Sequence, residues 1–84
     1  MEHTIPRLTL YYRESCHLCD DMWQHLREIQ TVLNFKLVRV DVDSQTELQQ
    51  RFGALIPVLL AGDQIICNYY LDPVALERYL TGVV

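Results

Sequence analysis

Leu8-Thr9-Leu10-Tyr11-Tyr12-Arg13-Glu14-Ser15-Cys16-His17-Leu18-Cys19 runs from an apolar stretch to the head of a helix-like one, with two cysteines at the junction. Unpaired backbone N–H groups at a helix start favour an anion, and two thiols one turn apart can close a disulfide reversibly. The segment reads as strand, reactive turn and helix. Redox chemistry at Cys16 and Cys19 is the first expectation.

Outward from this junction the remaining elements follow. The first strand covers about Arg7 to Tyr12. A helix is predicted from about His17 to Leu33, because Leu18, Met22, Leu26, Ile29 and Leu33 fall on one face, and Asp20 and Asp21 suit its positive end. Phe35 to Val42 is rich in β-branched residues, and a long helix between two strands implies a parallel, right-handed crossover. Both strands are expected to be central and largely buried. Ser44-Gln45-Thr46-Glu47 fits a capping box opening a short helix to about Phe52, with Gly53 as its stop. Pro57–Ala61 and Gln64–Cys67 flank Gly62-Asp63, a connection suited to a tight antiparallel hairpin, so the sheet is mixed. Asp72 and Pro73 read as the cap and first-turn proline of a last helix, Leu71 and Leu76 as its hydrophobic staple, and Gly82 as its end. The order is β-α-β-α-β-β-α.

The 84 residues, 50% of them hydrophobic and 21% charged, make one ordered domain over 1–84. A net charge of −4 argues against nucleic acid, since phosphates require a cationic face. Residues 1–7 lack the basic start and apolar run of a secretory signal, and no transmembrane-length segment follows. A cytoplasmic protein without a membrane partner is expected. Three cysteines are an odd count, too few for a secreted disulfide framework.

The predicted positions assign roles to the pair. Cys16, at the helix start, attacks as a thiolate, and Cys19, one turn deeper and more shielded, resolves the mixed disulfide. Protonated His17 and Arg13 would lower the Cys16 pKa while Asp20 and Asp21 raise it, and a moderate net depression is expected. A zinc site needs four ligands, and the chain offers no second cysteine pair, only Cys67, His3, His17 and His25, so no metal site is expected. Cys67 ends an apolar strand and reads as a small core residue. His3 and His25 read as solvated surface residues. Ile56-Pro57 is a second candidate, because a proline opening a strand often has a structural reason such as a turn or a cis bond.

The succession strand, Cys-x-x-Cys, helix, strand, helix, proline-led hairpin, helix resembles the thioredoxin fold in its minimal form, and more closely the glutaredoxins and small bacterial glutaredoxin-like proteins. The resemblance runs from about Leu8 to Leu80 and implies a thioredoxin-like, four-stranded mixed sheet with helices on both faces. It is carried by Leu10 to Cys19, where a strand tyrosine precedes a basic residue, Arg13, three places before the first cysteine. By this resemblance Cys16 is the nucleophile, Cys19 the resolving cysteine and Pro57 a cis-proline facing them. Ile56 would offer its backbone to glutathione or an extended substrate peptide. Substrate-binding candidates are thus Tyr12, Arg13, His17, Ile56 and Pro57. His17 and Leu18 stand where glutaredoxins usually carry proline and an aromatic. Asn68-Tyr69-Tyr70-Leu71-Asp72 replaces the Gly-Gly and acidic pair that hold the γ-glutamyl group, leaving glutathione open as a cosubstrate.

The expected activity is a thiol-disulfide oxidoreductase, monomeric and without bound cofactor, acting on a disulfide-containing protein or a glutathione mixed disulfide. Two other readings stay open. One is a thioredoxin-fold binding or scaffold module without turnover. The other is an iron-sulfur or metal carrier that uses Cys16 from two chains. Tyr11, Tyr12, Tyr69 and Tyr70 read as packing residues that could instead form an aromatic wall.

Overall fold

A computed structural model of the chain describes residues 5–82. His3, expected on the surface, lies outside them. The elements are β1 (Arg7–Tyr12), α1 (His17–Gln30), β2 (Lys36–Asp41), a 3₁₀ turn (Val42–Ser44), α2 (Thr46–Phe52), β3 (Val58–Ala61), β4 (Gln64–Asn68) and α3 (Pro73–Leu80). They form one mixed sheet in the order β2-β1-β3-β4. β1 runs parallel to β2 with Leu8 opposite Leu37, and antiparallel to β3 with Leu10 opposite Leu59. The β3–β4 hairpin turns through Gly62 at φ 60, a left-handed conformation glycine adopts without cost.

Alternation along the two inner strands divides the core between the sheet's faces. Leu8, Leu10, Leu59 and Ala61 face one side, where Met22 and Leu26 of α1 and Leu76 of α3 cover them. Val58 and Leu60 face the other, against Phe52 of α2 and Val42. Helices therefore lie on both faces. The expectation that β2 would be central is corrected: it is an edge strand, half-exposed along its length. Its β-branched residues report pairing and one-sided packing, which an edge strand also provides.

Local departures have local causes. On α1 the buried residues are Cys19, Met22 and Leu26, while Leu18, assigned to that face, is 37% exposed. The helix ends at Gln30, because Thr31 bonds back to the Glu28 carbonyl through both its backbone N–H and its hydroxyl. The capping box at Ser44 does not form. Ser44 instead donates its hydroxyl to the Asp41 carbonyl, Asp41 accepts the Asp43 backbone N–H, and α2 begins after Gln45 without a side-chain cap. Gly53 closes α2 at φ −56, in the right-handed region. At α3 the cap is present: Asp72 accepts the Ala75 N–H at 3.1 Å, Pro73 opens the first turn, and Gly82 follows the end at φ 67. Among the described residues no helix is long and apolar enough to cross a membrane.

Candidate active site

Tyr12 ends β1, and the chain turns sharply at Ser15, whose φ is 60. Cys16 then caps α1 with extended backbone (φ −113, ψ 107), and its Sγ accepts the Cys19 backbone N–H at 3.1 Å. Cys16 and Cys19 are joined as a disulfide with Cα atoms 5.2 Å apart. Their environments differ. Cys19 is 1% exposed, whereas Cys16 is half-buried at the element boundary. A nucleophile needs access and a resolving thiol needs only its partner, so this asymmetry suits attack at Cys16.

Sheet register brings the second candidate to the same end of the molecule. Val58 pairs with Tyr11, and one further step of that antiparallel register sets Pro57 beside Tyr12. The Ile56–Pro57 peptide bond is cis, Pro57 is fully buried and Ile56 is half-buried. The loop after β4 joins them. Tyr69, at φ 66, donates its backbone N–H to the Pro57 carbonyl and its hydroxyl to the Ala54 carbonyl, both at 2.8 Å. The loop before β3 and the loop after β4 are thus tied together at the end of the sheet from which β1 leads into Cys16.

The other candidates separate. The Arg13 guanidinium is held by Asp43, with Nε to Oδ2 at 2.9 Å and Nη2 to Oδ1 at 3.2 Å, and Nη1 donates to the Gly53 carbonyl. Hydrogen bonds from Arg13 and then Gln49 hold the Asp43 carboxyl below its usual range. Arg13 thus fastens the loop before Cys16 to the 3₁₀ turn after β2 and to the end of α2. Tyr12 donates to Glu14 at 3.5 Å and lies under the Arg39 guanidinium, which also covers Trp23. His17 is exposed at the first position of α1. Cys67 packs against the core as expected, and burial pushes its thiol pKa up.

A groove of about 260 Å³ lies beside Leu18, between α1 and the loop after β4, lined also by Asp21, His25, Tyr69 and Tyr70. Asp21 and His25 were not singled out as site residues in the sequence. Their spacing matches any solvated helix face, and only the loop after β4 turns that face into a groove wall. Tyr11 stacks on Phe52 and is packing, but Tyr70 is 70% exposed on the groove.

A mixed sheet of this order, flanked on both faces by helices and carrying a Cys-x-x-Cys pair at the head of its first helix, defines a thioredoxin-fold protein. A family model described as Glutaredoxin-like domain (DUF836) matches residues 7–81. The chain belongs to that family. Among solved structures it is similar to protein Ne2328 from Nitrosomonas europaea, with 33% identity over 95% of this chain and 96% of that one and a TM-score of 0.85. It also resembles target protein XcR50 from X. campestris, with 27% identity, 92% and 99% coverage and a TM-score of 0.72. The oxidized form of mitochondrial thioredoxin 3 from Saccharomyces cerevisiae shares the fold at 20% identity, 92% and 77% coverage and a TM-score of 0.66. No curated protein matches the chain. Family, fold and a cysteine pair within disulfide distance together indicate redox capability.

Proposed function

We propose that the protein is a thiol-disulfide oxidoreductase that reduces protein disulfides or glutathione mixed disulfides through Cys16 and Cys19. The observation that carries this reading is the unequal setting of the two sulfurs, one at the helix cap beside the Cys19 N–H, the other buried. In the reduced protein that N–H would stabilise a Cys16 thiolate. The Cys16 thiolate attacks one sulfur of the substrate disulfide, forming a mixed disulfide and releasing a thiolate that takes a proton from water. Cys19, deprotonated, then attacks the Cys16 sulfur, closing the internal disulfide and releasing the second substrate sulfur. Two electrons and two protons pass to the substrate, and glutathione or a dithiol protein returns them.

Substrate backbone would pair with Ile56 beside Pro57, and Tyr12, Arg13 and His17 would border the bound segment, Arg13 chiefly by fixing the loop. A monomer in the cytoplasm, without bound cofactor, suits this chemistry. The test is a pair of single substitutions. Cys19→Ser should accumulate mixed disulfides with substrate proteins, while Cys16→Ser should trap none and lose turnover in assays coupled to glutathione or to thioredoxin reductase. Absence of turnover by the unmodified protein in both systems, with nothing trapped by Cys19→Ser, would replace this reading with that of a docking module.

A further inference from the structure

We propose that the groove bordered by Leu18 of the Cys-x-x-Cys segment selects cationic, apolar polypeptide segments over glutathione, an inference that rests on the thiol-disulfide reading above. The groove has Met22 and Leu71 of the core at its floor and more exposed side chains around them. Leu18 is 37% exposed, Tyr69 43% and Tyr70 70%, and all three line it. Leu18 stands between the two cysteines, two residues after Cys16, so the edge of the groove lies within a few residues' length of a segment disulfide-linked to Cys16. Large exposed apolar groups gathered in one concavity mark a surface that gains by being covered.

Charge decides what covers it. No lysine or arginine occurs between Glu14 and Leu26 or between Phe52 and Glu77, the stretches that supply the helix head, the Ile56–Pro57 loop and the loop after β4. The nearest cation in sequence, Arg13, already has its guanidinium on Asp43. Glu14, Asp20, Asp21 and Asp72 are all exposed, and in the groove wall itself Asp21 is the carboxylate and His25 the one other titratable side chain besides the tyrosines. Glutathione brings two carboxylates against a single ammonium, a net negative charge, and no large apolar side chain. It would meet like charge on walls it cannot fill. An arginine or lysine near a substrate cysteine would instead lay its aliphatic stem on Leu18 and Tyr70 and its cation toward Asp21. The reaction is unchanged: each mixed disulfide accepts two electrons from the Cys16/Cys19 dithiol and leaves as thiols.

The test uses pre-reduced protein and disulfides with 2-mercaptoethanol of three thiols: a peptide with lysine and leucine beside its cysteine, its twin with glutamate for lysine, and glutathione. Bis(2-hydroxyethyl) disulfide serves as a neutral reference. The cationic peptide should be reduced about tenfold faster than the anionic peptide or glutathione, and the ratio should shrink towards one in about 0.5 M salt. Asp21→Lys should lower the cationic-to-anionic ratio about fivefold. Tyr70→Ser should slow both peptides relative to the neutral disulfide. Ratios are taken within each variant, so a general loss of activity does not mimic the effect. Equal rates on all three probes, or a ratio untouched by Asp21→Lys, would overturn the selectivity and leave the redox function standing. Failure to reduce even the neutral disulfide would remove both.

Discussion

Ser15 stands at φ 60 immediately before Cys16. A residue with a Cβ in the left-handed region costs about 1–2 kcal/mol, whereas glycine carries no such cost but loses more entropy on folding. Ser15→Gly should therefore raise stability by about 0.5–1 kcal/mol, read as a higher urea midpoint. A lower midpoint would mean that the serine side chain holds the turn. Cys67 gives a second prediction at this scale. In Cys16→Ser/Cys19→Ser protein it should react with iodoacetamide more slowly than a free cysteine at about pH 8.5, because burial keeps its thiol protonated. Its raised folded pKa contributes stability that is full below the unfolded value and is lost as pH rises through the folded one. Labelling at the free-cysteine rate would contradict that burial. The roles expected of Cys16, Cys19 and Cys67 rest on spacing and on apolar neighbours, both legible in the sequence. The left-handed turn at Ser15 was not legible, since serine does not announce it as Gly62 does.

α3 and α2 show when a capping motif can be read. Asp72 precedes a proline that fixes the first turn, and nothing nearby competes for its carboxylate, so cap and helix appear where expected. Ser44 fits the motif equally well but lies one turn after Asp41, which draws it into the 3₁₀ turn. Asp72→Ala should cost about 1 kcal/mol in urea unfolding and Asp72→Asn almost nothing, because asparagine offers the same acceptor. Equal losses would show that charge at the helix start matters more than the hydrogen bond. Arg13 and Asp43, thirty residues apart, are likewise unreadable as a pair from sequence. The depressed carboxyl of Asp43 adds stability that is present above the unfolded carboxylate pKa and fades as pH falls through the folded value. Asp43→Asn should flatten the acid limb of the midpoint-versus-pH curve, by a small amount since both side chains are 40% exposed.

At the scale of the molecule, strand direction followed from connections: a long helix for the parallel pair, a two-residue turn for the antiparallel one. Strand order did not, because nothing local in β2 distinguishes an edge from a centre. The central position of β3 has a mechanical consequence. Its residues are buried on both sides, Leu59 under α1 and α3 and Leu60 beside Phe52, so one four-residue strand is shared by the two halves of the core. If both halves fold as a unit, Leu59→Ala and Leu60→Ala should each lower the urea midpoint while leaving one transition of unchanged steepness. Leu59→Ala should cost about 3–4 kcal/mol, and Leu60→Ala, at 8% exposure, about 2. The double variant should be close to unfolded, since a domain of this size holds on the order of 5–10 kcal/mol. Two separated transitions in Leu60→Ala protein would show instead that the α2 side melts independently, with the loop before Pro57 carried on the weaker half.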